Sequence, residues 1–461
     1  MKSPIPEIGP KRVVLLIADD WSPLGGCYGH AVPETPHLDA LATMGTVFHN
    51  AYCTTPSCGP SRACILTGQH SYTHGQYGNP HGKSSFRLNP QVRSFTRDLK
   101  DAGVVTGMIG KRHILPLEPL ELDFYSQNDK VISKDRTLSD LNSFLELAGK
   151  RDFFLMLAPY LPHRTSLDGF DHANYSDLPM RTYAPEELEV PGFLPNLPGV
   201  RSDLANYYSA VTRFDHWVGI VVEDFKRRGL FEETLFVVMS DHGMPFLGAK
   251  ASPFEGGHRC PLIISCPGRV TGGRNSRDFV NWLDIAPTMT EWFGAKIQQE
   301  RPGNSLLPLL EDGAPERDEV YLAHMFHGLV EYYPYRILRK GRWKLILRLE
   351  PELDLPVPTD IICSKSFEEI MAHQPAMFGR RKADDVFYGP EVALYDLETD
   401  PWESENLAGN SKFETILTSM LDSMASHRKA TGDPLLQMNL QTAWKSKYPR
   451  PQLAPSPVRA E

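Results

Sequence analysis

Four times in its first 240 residues the chain runs through a short, unbroken apolar segment and stops abruptly on titratable side chains. Val13–Ala18 ends on Asp19 and Asp20, Val104–Ile109 runs into Gly110-Lys111-Arg112-His113, Phe153–Ala158 into PYLPHR ending at Arg164, and Leu235–Met239 into Ser240-Asp241-His242-Gly243. Apolar runs without alternation belong to strands covered on both faces, the pattern of a mostly parallel sheet with helices on either side. Such sheets place ligands at the carboxyl ends of their strands, where these polar residues fall. Helical segments lie between the runs. Thr35-Pro36 starts one that continues to Met44, with the proline tolerated in the first turn. A longer one over 202–228 repeats Leu204, Tyr207, Val211, Phe214, Val218, Val221 and Phe225 at helical spacing, with Ser202 as expected N-cap and Gly229 as stop.

The last third changes character. Tyr335–Arg339 and Trp343–Leu347 flank Lys340-Gly341-Arg342 as an antiparallel hairpin, Ala393–Leu397 adds a strand, and 412–427 reads as a closing helix. The expected organisation is a large α/β domain over 1–325 and a small C-terminal α+β domain with an antiparallel sheet over 326–445. A proline-rich, polar tail over 446–461 is expected to be disordered.

Charge and composition exclude several roles. With 48 basic and 57 acidic side chains the net charge is −9, and no basic run offers the cationic surface that nucleic acid requires. No stretch approaches the roughly 20 apolar residues that span a bilayer. The opening MKSPIPEIGPKR lacks the greasy core of a signal peptide, so a mature N-terminus or a cytoplasmic protein is expected, with cytoplasmic the preferred reading. Seven cysteines, an odd number in a long chain, do not make a disulfide framework and suit a reducing compartment.

One segment is richer than the rest. In Ser57-Cys58-Gly59-Pro60-Ser61-Arg62-Ala63-Cys64-Ile65-Leu66-Thr67-Gly68, Pro60 suits a first helical turn and Gly68 a C-terminal cap, so a short helix is expected over about 60–67. Cys58 then lies just before a helix N-terminus, where free N–H groups favour an anion, with Arg62 one turn on. A lone cysteine there is most simply a buried one. A zinc site built from Cys53, Cys58 and Cys64 is disfavoured, because four and five intervening residues do not form a CxxC pair.

The C-x-P-S-R pattern followed by A-x-I-L-T-G resembles the signature of the sulfatase family, whose cysteine is oxidised to formylglycine (3-oxoalanine) by a dedicated maturation enzyme. LLIADD, TPHLDAL, GMIGKRH, VPGFLPNLP and the late YYPYR are most similar to the heparan N-sulfatase, or sulfamidase, branch. The resemblance implies an alkaline-phosphatase-like large mixed sheet flanked by helices, with a smaller C-terminal antiparallel sheet. It implies a divalent cation, calcium in preference to manganese or zinc, held by Asp19, Asp20, Asp241 and His242 with the modified Cys58. Many members carry Asn where this chain has His242, and a nitrogen donor is softer. Lys111 and His113 would hold the formylglycine hydrate, with His113 taking a proton; Arg62 and Lys250 would neutralise the sulfuryl oxygens. His163 or Lys250 would protonate the leaving group. His81, His327 and Arg336 would line the substrate pocket. The function implied is hydrolysis of a sulfate ester or sulfamate, such as a terminal N-sulfoglucosamine in heparan sulfate degradation. The alternatives are a phosphonate monoester or phosphodiester hydrolase and a broad arylsulfatase. Expected partners are a small sulfated substrate and the maturation enzyme, with no nucleic acid and no membrane; a homodimer is compatible.

Overall fold

The first apolar run forms β1 (Arg12–Ala18), and every one of its seven residues is buried. The computed structural model describes residues 9–81, 86–126, 133–164, 169–170, 177–314 and 316–437, so the tail expected over 446–461 lies outside the described residues. After β1 come α1 (Pro36–Thr43), β2 (Gly45–Tyr52), α2 (Cys58–Thr67), β3 (Val105–Gly110), β4 (Phe124–Ser126), β5 (Phe153–Ala158), β6 (Thr234–Ser240), β7 (Arg259–Ser265) and β8 (Arg274–Asn281). These eight strands make one sheet in the order β4-β3-β5-β1-β6-β7-β2-β8. Only β7 pairs antiparallel with both neighbours; the other pairings are parallel, so seven carboxyl ends share one edge.

Alternate residues of β1 feed two cores. Val14, Leu16 and Ala18 join Leu204, Val211, Phe214 and Val218 of the long helix, while Val13, Leu15 and Ile17 join Ala63, Ile65 and Leu66 of α2 on the opposite face. The long helix spans Pro198–Arg227 and begins a turn before the expected cap at Ser202. Pro198 explains the shift, since its fixed φ and missing N–H suit the first helical position.

The smaller sheet contains β9 (Glu319–Phe326), β10 (Tyr332–Lys340) and β11 (Trp343–Arg348), followed, after a two-stranded ribbon of β12 (Met377–Phe378) and β13 (Arg381–Lys382), by β14 (Val392–Asp396). Its order is β14-β11-β10-β9, and all its pairings are antiparallel. The division expected at 325/326 falls near the end of β9, which already belongs to this sheet. The helix Glu414–Ala430 covers one face through Met420 and Met424, packed on Leu338, Leu345 and Leu394. On the other face, Tyr335, Ile337, Ile346 and Ala393 join the large core.

A buried charge network fastens the two sheets. Lys344 Nζ on β11 lies 3.0 Å from Glu255 Oε1 and 2.6 Å from Glu403 Oε1, and Arg339 Nε on β10 lies 3.7 Å from Glu255. Burial by itself raises the Glu255 carboxyl, but Lys344 and Arg339 overcome it and bring it down to about 2 from 4.5. A depressed carboxylate stabilises the fold above its unfolded value and loses that contribution as pH falls. Stability is therefore expected to drop on the order of 2–3 kcal/mol between about pH 4.5 and 2 from this residue. Urea melts of wild type and Glu255→Gln check it: the variant should show a shallower loss across that window, and an identical slope refutes the assignment.

Candidate active site

The shared carboxyl edge gathers the polar residues that follow the apolar runs. Asp19 and Asp20 leave β1, Lys111 and His113 leave β3, His163 follows β5, and Asp241 and His242 leave β6. Asp20, His113 and Ala251 beside Lys250 hold left-handed backbone, with φ of 71°, 54° and 58°. Such non-glycine conformations cost free energy and concentrate at functional sites.

Cys58 follows β2 as the first residue of α2, two residues earlier than the helix start expected from Pro60. Proline in the third position of the first turn gives up no intrahelical bond, so the helix starts before it. Gly68 ends α2 with φ 65° and its N–H on the Cys64 carbonyl. All ten residues of α2 are buried. Gly59 is required by close approach: a Cβ there would lie 2.8 Å from Gln76 and Pro80 and 3.0 Å from Asn79 Oδ1, which accepts the Gly59 N–H at 2.8 Å.

Around Cys58 the charges interlock. Its Sγ lies 3.2 Å from His242 Nε2. Lys111 Nζ donates to Asp19 Oδ2 at 2.5 Å, and Lys250 Nζ to Asp20 Oδ2 at 3.0 Å. Arg62 Nε donates to Asp241 Oδ2 at 2.9 Å, while its Nη2 stands 3.6 Å from Asp19 Oδ1. Burial would raise the Cys58 thiol, but Lys111, Lys250 and His242 hold it well below its ordinary range. The position is thus built for negative charge. Burial lowers His113 to about 4, whereas His163, also opposed by burial, is raised by Asp20 and Asp19.

Ligand atoms of Asp19, Asp20, Cys58 and His242 all lie within 4.8 Å of one another. Asp19 Oδ1 and Asp20 Oδ1 are buried and accept no hydrogen bond among the described residues. Each faces a cationic nitrogen, Arg62 Nη2 at 3.6 Å from Asp19 Oδ1 and His242 Nε2 at 3.1 Å from Asp20 Oδ1. Buried carboxylate oxygens without a hydrogen bond remain under-satisfied, so the set fits a divalent ion. His242 Nδ1 donates to the Gly243 carbonyl at 3.0 Å, which turns Nε2 toward the carboxylates, 3.1 Å from Asp20 Oδ1. Burial would lower the ring, but Asp241, Asp20 and Cys58 raise it to about 10, so a cation bound here would take the place of that proton. Asp241 stands at the edge of the set: Oδ1 accepts the N–H groups of Asp20 and His242, and Oδ2 the Arg62 guanidinium. Cys53 and Cys64 are not part of it, since Cys53 Sγ donates to Gly257 O and Cys64 Sγ lies 3.4 Å from His74.

Above Cys58 opens a cavity of about 550 Å³ lined by Lys111, His113, His163 and Lys250 from the large sheet edge. His81 and His113 meet Nε2 to Nε2 at 2.7 Å on its rim. His327 reaches it from the smaller sheet, with Nδ1 2.9 Å from Ser57 Oγ and Nε2 3.3 Å from Asn79 Nδ2. Arg336 does not line the cavity. Its guanidinium forms a bidentate pair with Asp433, both bonds 2.8 Å, and also donates to the His324 and Tyr335 carbonyls. It is a buried structural group, not a pocket residue. Lining residues missed from the sequence include Asn79, Tyr160, Glu331 and Asp360. Asp360 Oδ2 lies 2.7 Å from Lys250 Nζ, and no local motif marked it.

Comparison with known proteins agrees with this geometry. The family model described as Sulfatase matches residues 11–295, and the model described as N-sulphoglucosamine sulphohydrolase, C-terminal, matches 249–352. The chain is 31% identical to human N-sulphoglucosamine sulphohydrolase, covering 92% of this chain and 91% of that protein. It is 26% identical to an ulvan-active sulfatase of Formosa agariphila, covering 92% and 81%. In fold it is similar to a solved protein in complex with its substrate D-glucosamine-2-N,6-O-disulfate (TM-score 0.69, 21% identity, 94% of this chain and 100% of that one). It is also similar to the phosphonate monoester hydrolase of Agrobacterium radiobacter (TM-score 0.66, 19% identity, 91% and 96%).

Proposed function

This chain belongs to the sulfatase family, and from that premise we propose that it releases sulfate from a small terminal sugar such as N-sulfoglucosamine. As an enzyme it is a hydrolase of sulfuric esters or sulfamates, in a family that generally uses a formylglycine and a divalent metal. The observation that carries the reading is Cys58 itself, set in the first turn of α2 among Lys111, Lys250 and His242 at the floor of the pocket. With Cys58 oxidised to formylglycine and calcium held by Asp19, Asp20, Asp241 and His242, the site gains a hydrated-aldehyde nucleophile and a Lewis acid.

The chain's own residues do the rest. Lys111 and Lys250 supply fixed positive charge where a sulfuryl group must sit, the preorganised electrostatic contribution that is usually largest in catalysis. Arg62 locks Asp241 and keeps the carboxylates from spreading. His113 accepts a proton near Cys58, and His163 or Lys250 returns one to the departing nitrogen or oxygen. Residues from both sheets line a pocket of about 550 Å³, a size that suits one sugar unit and favours a chain terminus over a polymer interior.

His242, a nitrogen donor among oxygens, favours a second reading, phosphonate monoester or phosphodiester hydrolysis. The test has three parts. Peptide mass spectrometry should find an aldehyde at Cys58, and elemental analysis should find one calcium per chain. N-sulfoglucosamine should lead glucosamine 6-sulfate, an aryl sulfate and a phosphonate monoester in kcat/KM. A large phosphonate lead installs the second reading; stoichiometric zinc or manganese without calcium rescue overturns the metal.

A further inference from the structure

Outside the cavity above Cys58, a second group of metal-type side chains lies between two helices. His37 is the second residue of α1, and Asp215 and His216 are consecutive on the long helix. Their ligand atoms all lie within 4.8 Å of one another. His37 and His216 line a separate cavity of about 640 Å³, which Asp177 and Glu223 also face, and neither borders the catalytic cavity.

The burial and contacts of this group are those of a cation site. Asp215 is fully buried, yet its carboxylate is neutralised by no ion pair among the described residues. Its Oδ1 accepts the Leu38 N–H at 2.8 Å, and its Oδ2 the His37 N–H at 3.3 Å. A carboxylate offers about four lone-pair positions, so each oxygen can keep its backbone bond and still take an ion. Such bonds to the far side of a ligand are what fix its orientation. The two imidazoles are half-buried, with ring centroids 5.8 Å apart and planes at 66°. No ring nitrogen of either is hydrogen-bonded among the described residues. Gly219 lies one turn after Asp215, and a Cβ there would stand 2.7 Å from three atoms of the His37 ring. Glycine weakens a helix interior. Here it lets the His37 ring lie against the long helix, beside Asp215 and His216.

We propose that His37, Asp215 and His216 bind a zinc ion that pins α1 to the long helix and keeps its fourth position open to the cavity. Two imidazoles and one carboxylate are a zinc-type donor set, softer than the oxygen-rich cluster at Cys58. Zinc bonds of about 2.0–2.2 Å put tetrahedral ligand atoms roughly 3.3–3.5 Å apart. The ligands therefore draw inward on binding, from separations of up to 4.8 Å. The half-buried imidazoles have room to turn, while Asp215 stays anchored on the start of α1.

Isothermal titration of the calcium-saturated full chain with zinc chloride tests the site. One zinc per chain should bind with a Kd of about 1 μM, and His37→Ala and His216→Ala should each weaken it about a hundredfold. Cobalt(II) in place of zinc should give the visible bands of a tetrahedral ion, lost in the same two variants. Without zinc, both variants should melt within about 2 °C of wild type, since the two rings are half-exposed. Added zinc should raise the melting temperature of wild type and leave both variants unmoved. Asp19→Asn, a change in the cluster at Cys58, should leave this zinc in place. Absence of the zinc, or unchanged affinity in either histidine variant, overturns the proposal. A zinc lost in Asp19→Asn but kept in both histidine variants belongs to the cluster at Cys58 and overturns it equally.

Discussion

Replacing Cys58 by alanine is expected to abolish hydrolysis, lowering kcat/KM by at least ~10,000-fold, while the protein stays folded. The loss is large because no other side chain in the cavity can take the place of this one. The neighbours of Cys58 are cations and a histidine arranged to favour negative charge at that atom, and Ser57 Oγ is turned to His327. The fold should tolerate the change because alanine is the best helix former and the site is the first turn of α2. One buried sulfur is lost, so the melting temperature should move by less than about 4 °C. Turnover assays and circular-dichroism melts on the same preparation decide it. A well-folded variant with more than a trace of activity would remove Cys58 from the chemistry.

The second large effect concerns stability. Asp433→Ala should cost about 3–5 kcal/mol, because removing one partner of a buried ion pair strands the other. Asp433 accepts both arms of the Arg336 fork and also Arg428 Nε at 2.7 Å, and Arg336 further stacks over Tyr72 at 5.0 Å. Denaturant melts give the cost. The KM for a small sulfate should stay within twofold, roughly 0.4 kcal/mol, since neither residue lines the cavity. A variant of native stability would break the structural role, and a KM rising tenfold in a stable protein would return Arg336 to the substrate pocket.

Arg336 shows where reading a sequence runs out. Its local motif was legible, but its partner lies 97 residues away and carries no mark of the pairing. Asp360 is the converse: an acidic residue in the short helix Thr359–Ile362 that acquires meaning only when Lys250 lands beside it. By contrast β1, β3, β5 and β6 were legible because burial on both faces writes one uninterrupted apolar run into each. β8 was not, since RNSRDFVN lies at the sheet edge with most of its residues partly exposed. The metal-type cluster followed from the strands, because each acidic or histidine group sits directly after an apolar run and the topology delivers those ends to one edge.

The central position of β1 bears on how the chain is made. It is synthesised well ahead of its neighbours, which begin at Phe153 and Thr234, 141 and 222 residues further on. At translation speeds of about 5–20 residues per second, that leaves an apolar strand without its lateral partners for roughly 10–45 s. Pairings so distant in sequence also close slowly. During that interval RVVLLIA is a sticky edge open to the same strand on another nascent copy. Yield of soluble enzyme is therefore tied to chaperone supply and to expression temperature, and a truncation ending before Thr234 leaves β1 bare on one side for good.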